Sequence, residues 1–225
     1  MATTRATKER LSRETVTERA LALADAEGID AVTIRRLAND LGVTPMALYW
    51  HFQDKERLLD GVAELVLSQI RLPADDATRP WDERLREVLD RLLAVLAAHP
   101  STTDVVKTRI LQCEAGLQLT ERVLALMREG GLSAEQAAQR AVYALVFIVG
   151  LVTGEPGAMP GVEDDEAREE RLRGKWAALQ ALSPKRYPHV LEAAGPLTGC
   201  DDSDEWRAAG MDLLLRCLRE LPRSG

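Results

Sequence analysis

Residues 33–52 read TIRRLANDLGVTPMALYWHF, and they decide the fold. Thr33 is a capping residue, and Ile34, Leu37, Ala38 and Leu41 follow it at the spacing of one helix face, with Gly42 as the stop. Thr44 then precedes Pro45, a cap residue followed by the amino acid best suited to the first helical position. The spacing predicts two short helices joined by Gly42-Val43-Thr44, the layout of a helix-turn-helix, whose second helix enters the DNA major groove. A plain corner between two bundle helices would read the same up to Thr44, so the second of these helices has to separate the two. On it, Val43, Leu48 and Phe52 share one side, which leaves Pro45, Met46, Tyr49 and Trp50 facing outwards. Three of the nine aromatic residues of the chain fall within positions 49–52, on a helix too short to need them for a core. Outward Tyr and Trp of this kind mark a contact surface.

The same helical period extends in both directions. Upstream, Ser12 caps a helix over Arg13 to Glu27 with Val16, Ala20, Leu23 and Ala24 on one face and Gly28 as its stop. Downstream, Asp54 caps a helix from Lys55 to about Leu72, and Lys55 lies in the first turn, where backbone N–H groups favour a phosphate. Residues 73–80 (PADDATRP) form a loop. Helices are then expected over Trp81 to Ala98, 101–110 and 113–129, followed by a long helix from the capping box Ser133/Gln136 to about Thr153. The Pro/Gly-rich acidic stretch GEPGAMPGVEDDE reads as a solvated segment. A helix from Arg168 to Leu182, a loop from Ser183 to Asp202 and a last helix capped by Ser203 complete an all-α chain. Two domains are expected: a helix-turn-helix head over 1–57 and a helical body over 58–225.

The chain has 225 residues, 46% of them hydrophobic and 29% charged, an ordinary globular balance rather than a disordered one. The longest apolar run, Ala141 to Val152, is too short for a bilayer, and the polar, basic N-terminus has no secretory signal. Three cysteines without C-x-x-C spacing argue against a disulfide framework or a zinc ribbon and suit a reduced, cytoplasmic compartment. The net charge of −7 is unevenly placed. Residues 1–57 hold nine basic and nine acidic side chains, so the deficit lies entirely in the body. The tip carries Arg5, Lys8, Arg10 and Arg13 against Glu9 alone. Such a head can meet DNA although the chain as a whole is acidic.

Three stretches together resemble the DNA-binding domain of the tetracycline-repressor (TetR) family: A-x-x-L-A-x-x-x-G at 20–28, TIRRLA-x-x-LGV at 33–43 and LYWHF-x-DK-x-x-LL at 48–59. The resemblance implies a bacterial regulator, expected to repress, that binds a palindromic operator as a homodimer and is released by a small hydrophobic or amphipathic effector, with no membrane partner. It places Arg35 at a base-reading position, where Arg to guanine O6/N7 is the commonest specific contact. Pro45 and Met46 would meet thymine methyls, Tyr49, Trp50 and His51 the backbone and bases, and Thr33, Thr44 and Lys55 the phosphates. The body would hold the effector between the fifth and eighth helices, with Arg109, Gln112, Glu114, Tyr143, Phe147 and Trp176 as candidates. The tetracycline repressors hold a drug–magnesium chelate with histidines, whereas here Val146 and Phe147 stand where one is expected. No metal and no other cofactor is therefore expected. An enzyme with an appended DNA-binding head would need a recognisable catalytic pattern, and neither G-x-S-x-G, a Walker loop nor H-E-x-x-H occurs. An architectural DNA-binding protein would need a basic body.

Overall fold

The computed structural model describes residues 11–154, 165–199 and 202–220, and among these residues the chain is helical with no strand. The head comprises α1 (Arg13–Glu27), α2 (Ile34–Asp40) and α3 (Pro45–Tyr49). Each begins with the side-chain cap expected of it. Ser12 accepts from Thr15 N, Thr33 from Arg36 N and Thr44 from Ala47 N. Gly42 between α2 and α3 has φ +63°, a left-handed conformation that costs glycine nothing. Val16, Ala20, Leu37, Leu48 and Phe52 close a dry core beneath these helices, and the Arg13 guanidinium covers the Phe52 ring at 4.6 Å from its centroid.

The connecting helix α4 (Lys55–Ser68) begins at Asp54, which accepts from Arg57 N. It ends at Ser68 rather than near Leu72, because the backbone turns at Gln69 and Ile70 drops into the core. The body follows: α5 (Trp81–Ala98), α6 (Thr103–Arg109), α7 (Glu114–Glu129) and α8 (Ala134–Thr153), with α8 opened by the expected Ser133/Gln136 capping box. A short 3₁₀ turn, Pro100–Thr102, precedes α6. Beyond it α9 (Asp165–Gln180) packs on two short helices, α10 (Pro188–Glu192) and α11 (Ala194–Thr198). These two helices lie where a loop was expected. The prolines and glycines there punctuate one-turn helices instead of abolishing them, with Pro188 at a first helical position.

The last helix, α12 (Ser203–Glu220), packs on α8 and α5. Its cap is Asp202, which accepts from the amides of Asp204 and Glu205, so Ser203 is already helical. The acidic stretch at 155–164, the basic residues Arg5, Lys8 and Arg10, and Cys200 lie outside the described residues. By length and composition α8 could cross a membrane, but Ala137, Ala144, Ile148 and Val152 belong to the protein core, as they would in a core helix.

Two buried arginines hold the body together. Arg84 on α5 reaches Asp75 at 2.9 Å and Glu129 at the end of α7, which ties the connecting loop to two helices. Arg140 on α8 donates to the Leu218 carbonyl at 3.1 Å. Gly210 faces Leu151 of the same chain, and any side chain there would run into that leucine. Its small size therefore serves the internal α8–α12 contact.

Candidate nucleic-acid interface

The turn between α2 and α3 determines which side chains leave the head. Leu48 and Phe52 point inward and are fully buried, so the helical period turns Met46, Tyr49 and Trp50 outward. Trp50 is 85% exposed and Met46 66%. A large apolar area is thus held in water on a rigid turn, and Trp50 takes no part in the core. Pro45 is exposed beside them, and His51 is half-buried.

Two neighbouring arginines on α2 have different environments. Arg36 is engaged from both sides. It forks onto the Glu27 carboxylate at 2.7 and 3.0 Å and reaches Asp40 at 3.1 Å, and bonding to Glu27 first and Asp40 second raises its guanidinium above the usual range. Arg19 of α1 meets the other oxygen of Asp40 at 3.0 Å. This ladder fastens α2 to α1. Its one sign in the sequence is the Arg36/Asp40 spacing of four, since Glu27 and Arg19 reach it from another helix. Arg35 is exposed and makes no ion pair or hydrogen bond among the described residues. Its five donors remain available.

Thr33 and Thr44 spend one hydroxyl lone pair on capping, which leaves each hydroxyl proton free to donate. Lys55 is half-buried in the first turn of α4. Among its described residues the head thus presents the free Arg35 guanidinium, the Thr33 and Thr44 hydroxyls, the Lys55 ammonium and the exposed side chains of Met46, Tyr49 and Trp50. It combines donors suited to phosphate and base edges with apolar atoms suited to thymine methyls.

The six body candidates do not converge. Arg109 turns toward α4, where its Nε donates to Asp60 at 3.0 Å and its Nη2 bonds Glu56. Gln112 and Glu114 border a cleft of about 520 Å³ between α1, α4 and the α6–α7 turn. Tyr143 is exposed on the outer side of α8 and accepts from Gln139 at 3.2 Å. Phe147 is half-buried against the core. Trp176 is exposed on α9 and lines a cavity of about 720 Å³ with Trp206 and α11. His99, at the C-terminal end of α5, uses both ring nitrogens. Its Nδ1 faces Asp25 at 2.9 Å and its Nε2 faces Gln69 at 3.2 Å, linking α5 to α1 and α4.

A helix-turn-helix head with a free contact face on a helical body defines a DNA-binding transcriptional regulator. Comparison with known proteins agrees along nearly the whole chain. Residues 16–62 match the family described as "Bacterial regulatory proteins, tetR family", and residues 72–221 match "Tetracyclin repressor-like, C-terminal domain". The chain is similar to the HTH-type transcriptional repressor DrrR1 of Streptomyces coeruleorubidus, at 32% identity over 88% of this chain and 74% of that protein. It is similar to the class D tetracycline repressor protein of Escherichia coli, at 28% identity over 92% of this chain and 88% of that protein. Among solved structures, the Streptomyces coelicolor TetR family protein ActR in complex with actinorhodin superposes with a TM-score of 0.76, at 27% identity over 92% of this chain and 96% of that one. The chain belongs to the TetR family of transcriptional regulators.

Proposed function

We propose that the protein is a cytoplasmic homodimeric repressor whose head, residues 1–57, binds a palindromic operator, and whose body, residues 58–225, releases it on binding a small organic effector. The observation that carries this is the face around α3. Met46, Tyr49 and Trp50 are exposed on a helix whose other side is fully buried, and the unpaired Arg35 lies on the neighbouring α2. Arg35 reads a base, and Pro45 and Met46 meet thymine methyls. Tyr49, Trp50 and His51 contact bases and backbone, while Thr33, Thr44 and Lys55 take phosphates.

The dimer forms through the outer faces of α8 and α12. Val142, Tyr143 and Val146 are more than half exposed along one side of α8, and Leu213 and Cys217 are exposed on α12. Isologous pairing of these two helices with their copies makes a four-helix interface and supplies the two-fold symmetry of a palindrome. Half-sites then lie about 34–36 Å apart. ActR was solved in complex with actinorhodin, and a relative's organic ligand supports an organic effector here, held without magnesium.

Selection of bound duplexes from a random library by the purified chain tests the operator. A palindrome is expected, and an unselective pool would overturn the proposal. Titrating tetracycline against the selected complex, with and without magnesium, tests the effector chemistry, and magnesium-dependent release would overturn the metal-free site. Light scattering of Val146→Glu should show monomers, and a retained dimer would move the interface elsewhere.

A further inference from the structure

A cavity of about 720 Å³ lies between α9, α11 and the start of α12, a volume within the range of small-molecule sites. None of its lining residues comes from α5 to α8, where the family resemblance placed the effector. Its aromatic walls are Trp176 and Trp206. Leu172, Trp176 and Leu179 follow one another on α9 at spacings of four and three, the pattern of a helix face made for burial. Among the described side chains of α9, however, none is buried, and Trp176 is 43% exposed. Trp206 is held from the opposite side. Its indole N–H donates to the Leu151 carbonyl of α8 at 3.2 Å, so its polar group is satisfied and what it offers the cavity is ring surface.

The charges of the lining are unequal. Asp202 and Glu205 stand against Arg173 alone. Asp202 spends one carboxylate oxygen on the amides of Asp204 and Glu205. The side chains of Glu205 and Arg173 make no ion pair among the described residues. No arginine or lysine among those residues stacks on either indole. Indole faces are electron-rich and attract cations more strongly than the other aromatic side chains do. A cation here meets two such rings and two carboxylates against one guanidinium, whereas an anion meets the reverse. A bare metal ion or small ammonium would leave the apolar walls in water, so the occupant needs a flat apolar body as well as its charge.

We propose that this cavity binds a planar aromatic cation, with the flat body against Trp176 and Trp206 and the charge toward Glu205. The site goes beyond the proposed regulation, because it binds its ligand whether or not occupation releases DNA. Arg173 opposes the same ligand from within the lining. Affinity is then a balance between two residues of opposite sign. Neutralising Glu205 weakens binding and neutralising Arg173 tightens it, a pair of opposite effects that a merely structural role for either residue would not produce.

Isothermal titration of ethidium into the purified full chain, free of DNA, tests the site. The site can therefore fail while operator binding stands. The parent should bind saturably. Trp176→Leu should weaken binding about fivefold or more, and Glu205→Gln about threefold, while Arg173→Gln should tighten it about twofold. All three side chains are exposed, so the melting curves should match the parent's. If Trp176→Leu does not fold, the opposed pair Glu205→Gln and Arg173→Gln carries the expectation alone. The anionic dye anilinonaphthalene sulfonate should bind more weakly than ethidium. Absence of saturable ethidium binding overturns the site, and so do affinities in Glu205→Gln and Arg173→Gln indistinguishable from the parent's, which would put the dye elsewhere in the body. Tighter binding of the sulfonate, lost in Arg173→Gln, overturns the cationic class.

Discussion

The head and the first three helices of the body begin by different means, while α8 and α12 keep side-chain caps of their own. In the head, α1, α2, α3 and the emerging α4 each start at a residue whose own side chain bonds the first turn: Ser12, Thr33, Thr44 and Asp54. In the body, α5, α6 and α7 start at Pro80, Thr102 and Cys113, none of which caps through its side chain. Where α7 finds a partner for its first turn, that partner is Glu64, fifty-one residues away. A head with local instructions keeps its shape whatever the body does. A body held by distant charges can shift when one of them is displaced, as a ligand-responsive domain requires.

The largest effects separate two aromatic residues two positions apart. Phe52 is buried beneath Arg13, and Phe52→Ala should cost about 3–5 kcal/mol and unfold the head first. Trp50→Ala should leave stability within about 0.5 kcal/mol while weakening operator binding. Thermal melts and gel shifts on both variants check this pair. An equal loss of stability in both would break the division between core and contact face. A second test sits in the body. Gly210→Val drives a side chain into Leu151 of the same chain and should cost about 1–3 kcal/mol by overpacking, with the dimer intact by light scattering. Monomers of unchanged thermal stability would instead place Gly210 between copies.

The same contrast explains what could be read in advance. The head was legible almost to the residue, since caps, glycines and apolar period all lie within a few positions of the helix they define. In the body, α5 and α8 were legible for the same reason, through their unbroken period and, for α8, the Ser133/Gln136 box. The end of α4, the two short helices after residue 183 and the cap of α12 were not. They depend on where Ile70 finds a core and on how α9 packs on α11. Of the candidate site, the α3 face followed from the local period. The choice between Arg35 and Arg36 did not, because Glu27 and Asp40 take one and leave the other. The body candidates dispersed because residue type carries no information about which neighbour claims it, as with Arg109.

Arg35 and Arg36 sharpen the comparison at the level of single residues. Arg35→Ala should cost about 1–3 kcal/mol in operator binding and relax preference at one base pair, with the melting curve unchanged. Arg36→Ala should lower the stability of the head and weaken all duplexes alike. Binding to a panel of single-base operator variants distinguishes the two, and a uniform loss in Arg35→Ala removes it from base reading. Lys55→Ala is a smaller change, expected to reduce the slope of log K against log salt by about one. An unchanged slope takes Lys55 off the phosphates.

The smallest expected effect concerns acid. Burial pushes the Asp40 carboxyl up, but its bonds to Arg36 and Arg19 outweigh that and hold it below its usual range. A carboxyl lowered in the folded state binds its proton more readily in the unfolded chain. The stability it contributes is therefore complete above the ordinary aspartate pKa of about 3.9 and lost as pH falls through the folded value. Asp40→Asn removes the charge at every pH, so its deficit against the parent should be largest at neutral pH and shrink toward pH 3. Hydrogen exchange of the α2 amides, corrected for intrinsic pH dependence, reads this in the head alone. The body offers the control, because Asp90 on α5 is raised by burial despite Arg86. Its contribution runs the other way, and Asp90→Asn should gain protection relative to the parent as pH rises above the usual carboxylate range. If both variants shift exchange equally at all pH values, the ladder from Arg19 to Glu27 fastens α2 by shape and not by charge.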